Sequence, residues 1–154
     1  MRSMLVSDLD QVLAIENAVQ AYPWTRGNFC DALDSGYLCY VDDIDGKFCS
    51  YSVLMAGVGE AELLNIAVAE EYQRKGLGRK MMHAVLQKAR EMGFSRVLLE
   101  VRVSNRAAIG LYRLAGFSEM GVRRNYYRNA RRSEDAIVME CDLHAGNAAE
   151  NTLG

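Results

Sequence analysis

The sequence has few of the residues that hold metals: two histidines, His83 and His144, and four cysteines, Cys30, Cys39, Cys49 and Cys141, with no CxxC pair. A catalytic zinc takes several such ligands at close spacing, so no metal site is expected. Four reduced thiols in or near a core are the simpler reading, and they suit a cytosol. Long apolar runs are also missing, so no segment is expected to span a bilayer. The opening residues, Met1-Arg2-Ser3-Met4-Leu5-Val6-Ser7-Asp8, lack the apolar centre of a secretory leader. A soluble, cytoplasmic protein without a membrane partner is expected. Nor is there an excess of one charge: 18 Lys and Arg oppose 20 Asp and Glu, a formal net charge of −2. No global field draws such a chain to nucleic acid, and direct nucleic-acid binding is not expected.

What is present reads as one domain, since 154 residues are enough to bury a working core. Leu5-Val6 reads as the end of a first strand. Ser7 then stands as N-cap, with Asp8 and Asp10 in the first turn of a helix. Leu9, Val12, Leu13, Ile15, Ala18 and Val19 give that helix an apolar face. Pro23 breaks it, and Thr25 caps a second helix through Phe29 and Leu33 that stops at Ser35-Gly36. Strand signals follow over residues 37–41, 48–55 and 61–68, with a turn at 43–46, as in an antiparallel meander.

The texture then changes. Residues 76–92 form an amphipathic helix, with Leu77, Met81, Val85, Leu86 and Ala89 on one side and Lys80, His83, Gln87 and Lys88 on the other. A strand over 96–101 leads to a helix capped by Ser104 or Asn105, which runs through Tyr112 and Leu114 to Gly116. A strand pair from Phe117 closes the chain, turning near Arg128-Asn129-Ala130 and returning over 136–139. The class is mixed α/β (α+β): one layer of sheet with helices on both faces, in a domain over 1–143. Residues 144–154 read as a poorly ordered polar tail.

Two stretches carry chemistry. Gln73-Arg74-Lys75-Gly76-Leu77-Gly78-Arg79-Lys80 follows a buried strand and opens a helix. Glycines there let backbone N–H groups close on an anion at the positive helix end, and four basic residues favour a phosphorylated ligand. Neither the P-loop spacing nor a GxGxxG fingerprint is present. A tight turn with a solvated basic face remains the alternative. In the second stretch, Asn105, Ile109 and Tyr112 share one helix face, and Glu100 ends the preceding strand. A carboxylate and a phenol can thus approach one cleft. Glu100 reads equally as a partner of Arg96 or Arg102 on its own strand face, and Tyr112 as a packing residue.

The order LLNIAV, QRKGLGRK and LEVRVSNRAAIGLYRLAGF resembles the GNAT superfamily of N-acetyltransferases. Tyr22-Pro23-Trp24, Arg123-Arg124-Asn125-Tyr126-Tyr127 and Glu134-Asp135-Ala136-Ile137-Val138-Met139 are similar to its RimI-type members, which acetylate the N-terminal alanine of a small-subunit ribosomal protein. The resemblance extends to about Leu143. It implies a mostly antiparallel central sheet, splayed where acetyl-CoA binds. It assigns backbone groups of Ile66, Ala67 and Val68 to the pantetheine and acetyl portions. Arg74, Lys75, Gly76, Leu77, Gly78 and Arg79 are assigned to the pyrophosphate, and Asn105 to a contact beyond it. Glu100 is implied as proton acceptor and Tyr112 as proton donor, with the substrate amine attacking the thioester directly.

No metal is needed for that chemistry. The implied partner is a protein N-terminus, that of a ribosomal protein, and the implied state is a monomer. The basic, aromatic run over 123–128 with Arg131-Arg132 reads as a lip for peptide, as a solvated hairpin paired to Glu119 or Glu134, or, disfavoured by the acidic net charge, as a nucleic-acid contact. Trp24 reads either as a border of the substrate groove or as a buried anchor. Two other functions stay open at this point: acetylation of a lysine side chain or small amine, and CoA binding without turnover.

Overall fold

A computed structural model describes residues 1–128 and 133–144. Two compact units emerge, Met1–Ala56 with Leu63–Val85, and Gly57–Glu62 with Leu86 onward. The class is the mixed, mostly antiparallel α/β arrangement expected from the sequence.

The first unit holds β1 (Arg2–Ser3), α1 (Leu9–Val19), α2 (Arg26–Asp34), β2 (Leu38–Ile44), β3 (Lys47–Ala56) and most of β4 (Glu60–Val68). Its strands lie in the order β1-β2-β3-β4, with β1 antiparallel to β2 and β2 antiparallel to β3. The turn between β2 and β3 is tight because Asp45 and Gly46 both take positive φ, 53° and 82°. That is the pairing a two-residue hairpin requires. The Asp43 carboxylate accepts the Gly46 N–H at 2.9 Å and fixes it.

The start of the chain departs from expectation. Leu5-Val6 does not end a strand, because β1 is finished by Ser3 and Val6–Asp8 forms a 3₁₀ turn. Ser7 is not the cap either. The buried Asp8 carboxylate takes the Leu5 N–H at 2.7 Å and both ends of the Arg2 guanidinium at 2.8 and 2.9 Å. The Arg2 hydrogen bonds hold that carboxyl below its usual range. A cation six residues away in sequence thus outcompeted the hydroxyl that local propensity favours. Thr25, by contrast, caps α2 as expected: its hydroxyl accepts the Asn28 N–H at 3.1 Å, and the Asn28 side chain returns the bond to Thr25 N at 2.9 Å.

The core of this unit gathers Leu9, Val12, Phe29, Ala32, Val41, Tyr51 and Val53. Trp24 is half-buried rather than buried, and packs its ring on Phe29 with centroids 5.1 Å apart. The buried face of α1 differs from the expected apolar stripe at Ala18 and includes a residue outside that stripe, Glu16. Ala18 is exposed, and Glu16 is 1 % exposed on the buried side. A buried carboxylate is costly unless its oxygens are bonded, and Glu16 meets that condition. It accepts from the Tyr51 hydroxyl at 2.5 Å, from Asn65 Nδ2 at 3.1 Å to each oxygen, and from the Trp24 N–H at 2.9 Å. Gln20 bonds Asn65 Oδ1 at 3.1 Å and extends the network. Burial, and then the Glu16 bond, push the Tyr51 phenol far above its usual range.

The second unit holds β5 (Arg96–Arg102), α4 (Arg106–Leu114), β6 (Ser118–Arg128) and β7 (Ser133–Asp142). Their order is β5-β7-β6, so the last strand inserts between its two predecessors, antiparallel to both. Val97, Leu99 and Val101 are buried on one face of β5, leaving Arg96, Leu98, Glu100 and Arg102 half-buried on the other. The expected turn at Asn129-Ala130, Arg131-Arg132 and the tail beyond His144 lie outside the described residues. α3 (Leu77–Glu91) contributes to both units and buries Met81, Met82, Val85, Leu86 and Ala89, with His83 and Gln87 exposed. Three of the four free thiols are buried, and burial pushes Cys39 up to about 11. Among the described residues, no helix is long and apolar enough to cross a membrane.

Replacing Tyr51 by Phe removes one donor from a buried carboxylate. A loss of about 1–3 kcal/mol in unfolding free energy is expected, read from urea denaturation. An unshifted midpoint would show that the Glu16 network does not stabilise the fold.

Candidate active site

In the first unit the basic loop is built by conformation rather than by crowding. Arg74 and Gly76 both take positive φ, 64° and 79°, on either side of Lys75. A Cβ on Gly76 would meet nothing within 4 Å, so the backbone angle is what calls for glycine there. α3 opens at Leu77, and its first internal bond runs from Lys80 N–H to Gly76 O at 3.0 Å. The N–H groups of the preceding turn have no partner within the helix and lie at its positive end. Such alternating backbone angles running into a helix start make a concavity for an anion. Arg74, Lys75, Arg79 and Lys80 are exposed around it. Gln73 donates to the Val68 carbonyl at 3.0 Å and ties the loop to the end of β4. Ile66 and Val68 are half-buried there, and Ala67 is buried. These residues fit a ligand with a pyrophosphate and an extended polar arm.

In the second unit, Glu100 is not paired as the sequence led one to expect. Arg96 is engaged by Glu60 at 2.6 Å and Glu140 at 2.9 Å, and Arg102 by Glu134 at 3.4 Å. The ion pair found for Glu100 is with Arg123 of β6, at 3.1 Å. Tyr126 donates to the same carboxylate, and the Glu100 charge, with that bond, raises its phenol above the usual range. Arg123 also lies over the Tyr126 ring, 5.3 Å from its centre.

A bulge in β6 produces this convergence. The β6–β7 register shifts between Arg123 and Tyr127, where Asn125 takes φ 53° and donates its N–H to Asp135 at 2.8 Å. Bulges re-aim side chains in this way. Glu62 of β4 joins the group. Burial, and then the Glu100 charge, raise its carboxyl, while Arg123 opposes them.

The corner from β5 into α4 is fixed by Glu134, which accepts the Ser104 N–H at 2.9 Å, and by Val103 N–H on the Asp135 carbonyl at 3.2 Å. Asn105, not Ser104, caps α4, its side-chain oxygen taking the Ala108 N–H at 3.3 Å. Ile109 is buried, and Tyr112 is half-buried with its ring 5.9 Å from that of Phe117.

Comparison with known proteins places this geometry. Residues 7–117 match the model of the acetyltransferase (GNAT) family. The chain belongs to that family. It is 38% identical to the [ribosomal protein bS18]-alanine N-acetyltransferase of Escherichia coli K12 over 137 residues, 89% of this chain and 93% of the relative. Its likeness to the protein of that name from Haemophilus influenzae is 31% over 88% and 93% of the two chains. The crystal structure of the ribosomal-protein-S18-alanine N-acetyltransferase from Escherichia coli superposes with a TM-score of 0.86, covering 92% of each chain at 37% identity.

GNAT enzymes use acetyl-CoA, and the glycine loop on α3 fits its phosphates. Sequence reasoning found that loop and Glu100, but it missed Glu62 altogether and left Arg123 and Tyr126 undecided between a lip and a solvated hairpin. Those three converge through a bulge and a sheet crossing that no local pattern announces. The one usable signal was a carboxylate at a half-buried strand position.

Gly76→Val forces a β-branched side chain into a left-handed backbone. We expect the acetyl-CoA dissociation constant to rise about tenfold as the loop leaves its left-handed conformation, measured by calorimetry, with the thermal midpoint falling by only a few degrees. Unaltered affinity would remove this loop from cofactor binding.

Proposed function

We propose that this chain transfers the acetyl group of acetyl-CoA, in the cytoplasm, to the α-amino group of an N-terminal alanine on a small-subunit ribosomal protein, bS18. The observation that carries this reading is the similarity to enzymes of that name, which runs through 89% of this chain and 93% of the relative. The site supports it by offering a half-buried carboxylate and a phenol on elements whose positions are fixed by hydrogen bonds.

Acetyl-CoA supplies an activated acyl group. The chain's own task is to hold it and to manage protons. Backbone groups of Ile66, Ala67 and Val68 bind the pantetheine and acetyl portions in this reading. The segment from Arg74 to Arg79 wraps the pyrophosphate, and Asn105 adds a contact beyond it. An α-ammonium must lose a proton before its nitrogen can attack. Its reference pKa, about 7.7–8.0, lies well below the roughly 10.4 of lysine, so a carboxylate acting directly or through one water is a sufficient base.

Glu100 takes that role. A backbone N–H near Val68 steadies the oxyanion formed on attack, and Tyr112 returns a proton to the departing thiolate. No covalent enzyme intermediate is called for.

Glu100→Gln and Tyr112→Phe should each lower kcat by about 10²–10⁴-fold while leaving acetyl-CoA affinity near wild type. Wild-type turnover in both would remove these residues from the mechanism. The substrate assignment is tested with peptides of differing first residue, each offered with its α-amine free and blocked, and the product mapped by mass. Acetyl on the α-nitrogen of alanine-first peptides is expected. Modification confined to internal lysines would refute the assignment.

A further inference from the structure

The group around Glu100 holds more than one base requires. At the open end of β5, Arg96 meets Glu60 at 2.6 Å, and Ser95 N–H meets the Gly59 carbonyl at 2.8 Å, which sets the first residues of β4 beside β5. Alternation then puts Glu62 on the Glu60 face and Glu100 on the Arg96 face, so both carboxylates share one surface. The Arg123 guanidinium pairs with Glu100 at 3.1 Å, and its charge also reaches Glu62. Two carboxylates facing one guanidinium leave this trio one charge short of balance. The neighbouring arginines are held elsewhere, Arg96 by Glu60 and Glu140, Arg102 by Glu134.

The three groups differ in how firmly they are fixed. The Glu100 side chain is 14% exposed and that of Arg123 is 58% exposed. An exposed arginine in such a pair is weakly held, and Arg123 already lies over the Tyr126 ring while it pairs with Glu100, so that contact remains to it when the ion pair opens. Tyr126 is itself set in place by the bulge at Asn125.

We propose that Glu62 and Glu100 together form the seat for the substrate's α-ammonium, and that Arg123 holds the Glu100 side of this seat until the ammonium displaces it. The proposal rests on the N-terminal acetylation reading above and assigns that reaction's substrate recognition to Glu62. An ammonium is compact and carries three donors, so it bridges two carboxylates where a planar guanidinium serves one edge at a time. Its charge also relieves the repulsion that Glu100 exerts on Glu62. A peptide with a blocked α-amine has no charge with which to evict Arg123.

The test measures the KM for an alanine-first peptide, and inhibition by the same peptide lacking its α-amine, in wild type, Glu62→Gln and Arg123→Gln. KM for acetyl-CoA and thermal midpoint are followed in each as controls on the fold. Glu62→Gln should raise the peptide KM about tenfold, the size of one charge-assisted hydrogen bond, with acetyl-CoA KM unchanged. The loss of affinity on removing the amine should shrink in that variant. Arg123→Gln should lower the peptide KM, because the competitor is gone.

A wild type that acetylates α-amines while Glu62→Gln keeps the wild-type peptide KM defeats the seat alone, as does a raised peptide KM in Arg123→Gln. A wild type that acetylates no free α-amine defeats the functional reading, and the seat with it. Should Glu62→Gln unfold, the amine-deletion comparison between wild type and Arg123→Gln decides. An unchanged penalty in the two overturns the displacement.

Discussion

On the half-buried face of β5, the charges around Glu100 are partitioned among several strands. The cations at Arg96 and Arg102 are drawn to Glu60, Glu140 and Glu134. Glu100 is left to a guanidinium from β6 that is largely exposed. That partition decides what the carboxylate can do. Bound tightly between two strand neighbours, it would be a structural ion pair with little capacity to take a proton. Held by one largely exposed guanidinium and one phenol, it is less firmly committed. A second carboxylate at Glu62 makes the surface net negative, which favours a cation.

Much of the frame that supports this chemistry was legible in the sequence. The period-two burial of β5, the stripe on α3 and the cap at Thr25 are local properties, and local rules found them to within a residue or two. The glycine loop was legible for the same reason: backbone conformation at Gly76 is written into the residue itself. Ser7 was not the cap because Arg2 and Asp8 form a pair across the first turn, and pairing of that kind is invisible to propensity. Glu16 does not stand out in the sequence because its burial depends on Tyr51 and Asn65, distant along the chain.

The candidate site was legible by half. Glu100 and Tyr112 stand out in a motif, whereas the partners of Glu100 do not. Arg123 and Tyr126 reach it only because β7 inserts between β5 and β6 and because β6 is bulged at Asn125. Strand order and bulge position are tertiary facts. A run of arginines and tyrosines reads the same whether it faces solvent, a peptide or a carboxylate. The polar network at Glu16 and the cluster at Glu100 also illustrate two uses of a buried or half-buried acid. One is fully bonded and static, fixing α1 against β3 and β4. The other is incompletely neutralised, and its ion-pair partner Arg123 is largely exposed.

The central claim is that Glu100 receives the substrate nitrogen. It is tested most directly by a crystal structure of the chain with CoA and an alanine-first peptide bound. The α-nitrogen should lie within about 3 Å of a Glu100 oxygen, or be joined to it through one water. A peptide nitrogen bound remote from Glu100, with the carboxylate still clasped by Arg123, would contradict the account.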